Sequence, residues 1–252
     1  MPVSYEIPPM AADAVAALPY PAVFATISGS HMYGFASVDS DLDVRAVHQL
    51  PLDEVIGLRT GPETLQSSRT RDGVELDVVS QELAKFCRLL LRPNGHVLEQ
   101  VLSPLVVTTS DRHAELVAAA PGCVTRSHSH HYLGFAKGQW QLFERHSDVK
   151  PALYTLRVLL TGIHLMRTGE LECDLPTLGD GMDLPYVPEL IARKTKGERE
   201  PFPPDSDIRR HLAADVHRLT ALLKLAREES TLPDRPTAGD ALHRLVIDAR
   251  LH

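Results

Sequence analysis

At 252 residues, with 43% apolar and 23% charged side chains, the chain has the composition of a soluble globular protein and enough length for one large domain or two modest ones. No apolar run approaches a membrane span, and Asp13 together with the lack of lysine or arginine before Arg45 speaks against a signal peptide, so a cytoplasmic protein without a membrane partner is expected. A formal charge of −7 argues against a long polyanion as the main partner, so a nucleic acid would be met at an end or by a local basic patch. Cys87, Cys123 and Cys173 are scattered, odd in number and outside any Cys-x-x-Cys spacing, and read as reduced thiols.

Taken in order, residues 1–10 form a proline-containing lead-in, and Ala11–Leu18 is helix-compatible until Pro19 and Pro21 close it. Ala22–Ile27 is the first expected strand. It runs into Ser28-Gly29-Ser30-His31-Met32-Tyr33-Gly34, where a short helix over Ser30–Tyr33 is expected to stop at Gly34. A glycine lets backbone N–H groups approach an anion, and a serine can cap a helix whose N-terminus favours phosphate. Leu42–His48 is the second strand. Asp41 at its beginning and Asp43 inside it are spaced to project from one face. Two like charges so close call for a positive partner, and a divalent oxygen-seeking cation is the usual one. Asp39-Ser40-Asp41 is also turn chemistry. An EF-hand is excluded, because Val44 stands where it needs glycine and Leu50 where it needs a bidentate glutamate.

Glu63–Thr70 and Val74–Ser80 are extended, and Arg71-Asp72-Gly73 between them is a hairpin signal. On the second arm Glu75, Asp77 and Val79 share a face. Glu82–Leu91 is an amphipathic helix, ended by Pro93-Asn94-Gly95, and His96–Leu102 is a second short one. From Asp111 the pattern is helical: Arg112–Ala120, Ser127–Glu144, Lys150–Arg167, Asp205–Glu228 and Gly239–His252. In Ser127-His128-Ser129-His130-His131 the histidine spacing does not share a helix face, so this reads as a polar helix start with Ser127 as its cap. Lys150, Tyr154 and Arg157 form one stripe, either a basic and aromatic binding face or a solvated helix edge with a half-buried tyrosine. Arg193–Arg199, between Pro188 and Pro201, is the densest basic run and reads as a solvated loop able to steer a polyanion.

Gly-Ser, a spacer of roughly ten residues and Asp-hydrophobic-Asp-hydrophobic resemble the signature of the DNA polymerase β nucleotidyltransferase superfamily. More narrowly, Gly29-Ser30-His31-x-Tyr33-Gly34 followed by Asp39-Ser40-Asp41-x-Asp43 resembles the RlaP-type nucleotidyltransferases found near RNA-repair genes. The resemblance implies an α+β protein: a small mixed-sheet nucleotidyltransferase core flanked by helices over 1–112, then a mainly helical region over 113–252. It implies a third metal-ligating carboxylate on the hairpin arm. Asp77 fits that place better than Glu75, because Val78-Val79-Ser80 and a helix follow it. Glu99, in a Val-Leu-Glu run, either assists the site or is a helix surface residue.

On this reading Asp41, Asp43 and Asp77 are the catalytic and metal-holding acids for two Mg²⁺ or Mn²⁺ ions. Ser28, Gly29, Ser30, His31 and Tyr33 form the nucleotide-binding loop, with Lys150, Tyr154 and Arg157 supplied by the helical region. His31 either donates to a triphosphate oxygen or orders the loop, and Asp39 and Ser40 shape the turn before Asp41. The implied reaction moves a nucleoside monophosphate from a nucleoside triphosphate to an acceptor hydroxyl. An RNA end is ranked first by resemblance, with protein and small-molecule hydroxyls open. The competing classes are an antitoxin-type modifying enzyme and a non-catalytic nucleotide-binding module.

Overall fold

The computed structural model describes residues 6–71, 73–197, 199–202 and 207–251. Residues 1–5 of the lead-in, the expected turn residue Asp72, Glu198 of the basic run, Asp205 at an expected helix start and His252 at an expected helix end lie outside the described residues. The chain forms two compact units, one of Met1–Met32, Asp41–Cys123 and Arg235–His252, the other of Tyr33–Ser40 and Val124–Asp234. The architecture is α+β, as expected: a five-stranded mixed sheet flanked by helices, and a helical C-terminal region.

The first unit begins with helix α1 (Pro9–Ala16) and strand β1 (Ala22–Ile27), followed by a single 3₁₀ turn over Gly29–His31. Strand β2 (Leu42–His48), the short helix α2 (Asp53–Ile56) and the hairpin β3 (Thr64–Arg71) and β4 (Val74–Glu82) come next. Helices α3 (Leu83–Leu90) and α4 (Gly95–Leu102), strand β5 (Val106–Thr108) and helix α5 (Asp111–Ala119) complete this stretch. The strand order is β3-β4-β2-β1-β5. Among the described residues only β2 and β4 run parallel, in a register that pairs Leu42 with Leu76, Asp43 with Asp77 and Val44 with Val78. β5 is an addition that no alternating pattern announces, since it has three residues.

Period-two alternation sorts the sheet's two faces. Leu42, Val44 and Ala46 of β2 with Leu76 and Val78 of β4 are buried in one cluster with Ala11, Ala14 and Val15 of α1. Each of the larger side chains there contributes about 1.5–3 kcal/mol relative to exposure. The intervening residues, Asp43, Arg45 and Asp77 among them, therefore occupy the opposite face. On that face Phe24 packs edge-on against Phe86 of α3 and stacks at 4.2 Å on His113 of α5, while Thr26 donates to the carbonyl of Gln100 in α4. Helix α11 (Gly239–Leu251) closes the unit: Arg250 pairs with Glu82, both buried, and donates to the carbonyl of Leu50. Glu82 also caps α3 by accepting from the amides of Ala84 and Lys85.

In the second unit, α6 (His128–His146), α7 (Val149–Thr168) and α10 (Asp207–Glu229) pack as long helices, with α8 (Leu175–Gly179) and α9 (Val187–Lys194) between the latter two. α7 is the most buried of them. Gly162 lets it lie against Tyr132 of α6 and Leu223 of α10, where any Cβ would press on both. Ser147 and Gly169, both left-handed, stop α6 and α7. Ser127 makes no side-chain cap bond, contrary to expectation. Instead the buried Ser129 hydroxyl donates to the Arg126 carbonyl, and His128 turns inward against Thr125. The histidine run thus starts α6 by being buried.

Burial lowers the pKa of His48, His113 and His128 below the ordinary imidazole value, more than their hydrogen bonds raise it. The unfolded chain therefore takes up protons first. This stability is complete above about pH 6.5 and is lost as pH falls toward the depressed folded values. Thermal melts between pH 7.5 and 5 are expected to show a falling Tm, with a smaller slope in His113→Gln. An unchanged slope in that variant would contradict the role given to His113.

Candidate active site

The first unit contains the Gly-Ser turn and all three acids, Asp41, Asp43 and Asp77. The ladder between β1 and β2 ends where the Ser28 amide donates to the Asp43 carbonyl at 2.9 Å. Gly29 follows at φ +71°, a conformation a side chain rarely adopts, and a Cβ there would overlap Asp43 Oδ2. Ser30 is buried. The helix that follows is only the three-residue turn Gly29–His31, and Ser28 makes no cap bond to it, so any helix-dipole contribution to phosphate binding is small. This corrects the expected helix over Ser30–Tyr33.

Asp43 and Asp77 are register partners on parallel neighbours and so share a face. Between them lies Arg45, two residues beyond Asp43 on the same face. Its Nη2 donates to Asp43 Oδ1 at 2.6 Å, and its Nη1 stands 3.1 Å from Asp77 Oδ2. Asp41 is half-buried just before β2. The positive charge demanded by the acids is thus met in this structure by a residue of the chain. Among the described residues, no three His, Cys, Asp or Glu side chains stand together so as to hold a metal ion. The oxygen donors of Asp43 and Asp77 suit a hard divalent cation in kind.

The direction in which a Gly29 side chain would extend is likewise filled by Asp43. Weak nucleotide binding in a Gly29 variant would therefore report on the aspartate as much as on a phosphate. Glu75 is exposed, whereas Glu99 is buried, with His96 Nδ1 at 3.9 Å, so it is not a helix surface residue.

The second unit contains the middle of the signature and the α7 stripe. The Arg157 guanidinium is fully buried and lies 3.7 Å over the Tyr33 ring. Tyr154 meets Tyr33 and Phe35 edge-on at 5.6 and 5.4 Å, and Lys150 Nζ is 5.9 Å from the Tyr154 ring. Tyr154 and Arg157 of the stripe are thus packed against the signature's own Tyr33 and Phe35, while Lys150 and Tyr154 remain half-buried. Gly34 at φ +80° lies where a Cβ would strike Asp174, and the Tyr33 carbonyl accepts from the Leu175 amide.

Ser37 and Ser40 hydroxyls lie 2.8 Å apart, and Lys194 Nζ donates to Ser37 at 2.8 Å. Lys194 is fully buried at the end of α9. This corrects the reading of Arg193–Arg199 as a solvated loop: its first two residues are helical, and one points inward. The signal was present, since Val187, Leu190 and Lys194 recur at i, i+3 and i+7 on the buried face.

A mixed sheet thus sets a glycine-backed aspartate beside a second aspartate on a parallel neighbour, in a chain whose family is of the DNA polymerase β type. Residues 10–248 match the RlaP family, the RNA repair pathway DNA polymerase beta family, and the chain belongs to it. Uncharacterized protein MJ0002 of Methanocaldococcus jannaschii is 31% identical over 239 residues, covering 91% of this chain and 94% of that protein. The crystal structure of a nucleotidyltransferase-like protein from Exiguobacterium sibiricum is similar at 13% identity and a TM-score of 0.33, covering 95% of this chain and 78% of that one. Among the described residues, no helix is long and apolar enough to cross a membrane.

The contact between Gly29 and Asp43 has a measurable signature. Gly29→Ala should destabilise through its positive φ, worth about 1–2 kcal/mol, and further by displacing the carboxylate. In an Asp43→Ala background only the first cost remains. Denaturant unfolding of the four proteins is expected to give a coupling above about 0.5 kcal/mol. Additive effects would show that the two residues do not meet.

Proposed function

We propose that the protein transfers a nucleoside monophosphate from a nucleoside triphosphate to an acceptor hydroxyl and releases pyrophosphate. The observation that carries this reading is the registered pair Asp43 and Asp77, with Gly29 against the first, inside a chain of the RlaP family. In the reaction an acceptor oxygen attacks the α-phosphorus, the bond to the β-phosphate oxygen breaks, and the acceptor proton leaves to a base. Asp77 is assigned as the carboxylate nearest the acceptor and as that base. Asp43 and Asp77, with Asp41, would hold two divalent ions, Mg²⁺ or Mn²⁺. When bound, such ions neutralise the triphosphate and lower the pKa of the attacking hydroxyl.

The chain's own contribution is positioning. The β2–β4 register sets the spacing of Asp43 and Asp77, and Gly29, having no Cβ, leaves room for the Asp43 carboxylate. Ser30 and His31, on the turn beside Asp43, are assigned to the triphosphate. An RNA end is the acceptor favoured by the family's description, and the charge of −7 suits a short end better than a long strand. A non-catalytic nucleotide-binding module is the second reading. It draws support from Arg45, which already neutralises two of the three acids.

Pyrophosphate release from each of the four nucleoside triphosphates, with Mg²⁺ and with or without RNA, separates the two readings. Turnover is expected in the wild type. Asp43→Asn is expected to lower it at least about 10²-fold, the scale of losing one preorganised electrostatic partner. Because that variant loses only a partly exposed ion pair, worth about 1 kcal/mol or less, it should remain folded. Wild-type turnover in folded Asp43→Asn would overturn the mechanism, and nucleotide binding without turnover in the wild type would favour the second reading.

A further inference from the structure

Arg45, on the strand that carries Asp43, bridges the two acids. Beyond the two carboxylates, its Nη1 donates to the backbone carbonyls of Val44 and Asp77, each at 3.2 Å. Its side chain is 20% exposed, against 28% for Asp43 and 36% for Asp77, so the cation is the least exposed member of the trio. A guanidinium held at four points by oxygens is preorganised, and a strand position two residues from Asp43 gives it no other face to occupy.

A small divalent ion takes carboxylate oxygens at about 2.0–2.1 Å, closer than any N–H donor approaches them. The guanidinium and the ion therefore cannot both sit between the same two carboxylates. We propose that Arg45 is the resident counter-ion of Asp43 and Asp77 and that a divalent ion enters only by displacing it. The proposal rests on the reading that these two acids hold the ion.

Two consequences follow. The nucleotide-free protein binds divalent ions weakly, because each ion must break an existing charge-assisted bridge. An ion that arrives with a triphosphate brings anionic oxygens that the freed guanidinium can meet in its planar, two-pronged way, so ion and nucleotide bind together better than the ion alone.

The test uses Mn²⁺ alone, followed by titration calorimetry and by the loss of its free-ion EPR signal, on the nucleotide-free protein. Arg45→Gln is expected to bind Mn²⁺ at least about tenfold more tightly than the wild type, equivalent to about 1.4 kcal/mol. The double variant Asp43→Asn with Arg45→Gln is expected to lose that gain. Should Arg45→Gln fail to fold, Arg45→Lys keeps the charge but cannot span both carboxylates, and it too should bind Mn²⁺ more tightly than the wild type. Equal or weaker binding in the folded Arg45 variant, with Asp43→Asn still reducing it, would overturn the counter-ion role and leave the acids as ligands. Mn²⁺ affinity indifferent to Asp43 in both backgrounds would overturn the ligand reading, and this proposal with it.

Discussion

The first unit depends on one constraint, the parallel register of β2 and β4. Pairing Leu42 with Leu76 and Val44 with Val78 buries both strands' apolar face under α1, and the same register leaves Asp43 opposite Asp77 on the other face. A slip of one residue would exchange the two faces. Hydrophobic burial therefore enforces a pair of close carboxylates, whose repulsion must be answered within the fold. Arg45 answers it from the same strand, at a spacing set by the pleat. Gly29, without a Cβ, lets the chain turn against Asp43 from the other side.

In the second unit the spacer between the Gly-Ser turn and the acids is held by buried polar and aromatic groups. Tyr33 lies under the Arg157 guanidinium, Phe35 meets Tyr154, and Ser37 and Ser40 share the Lys194 ammonium. Two fully buried cations, one from α7 and one from α9, set against one short segment are costly unless each meets electron-rich partners, and here the partners are an aromatic face and hydroxyls. The basic and aromatic stripe of α7 thus has a structural task, and whatever it does toward a nucleotide is done by side chains already engaged.

Much of this was legible in the residues. Alternation along Leu42–His48 and Val74–Ser80, the glycine turn between the hairpin arms and the amphipathic run after Glu82 placed the sheet and its first helices correctly. What escaped depended on register or on tertiary burial. β5 is too short to show a period, and α8 and α9 are short helices whose first turns each carry a proline. Lys194 was masked by its basic neighbours, although its helix spacing with Leu190 marks it as inward. Arg45 could not be read as the partner of Asp77, because that contact exists only once β2 and β4 are paired. Whether a positive charge near two acids is a metal or a guanidinium is a question of geometry, and composition offers both.

On the proposed reading Asp43 and Asp77 form one cation site whose resident occupant is Arg45. Anomalous diffraction from crystals grown with Mn²⁺ and a non-hydrolysable nucleoside triphosphate tests it most directly. The expected result is a manganese peak against the carboxylates of Asp43 and Asp77, with the Arg45 guanidinium moved off both. A peak elsewhere, or one beside these acids with Arg45 still bridging them, would contradict the account.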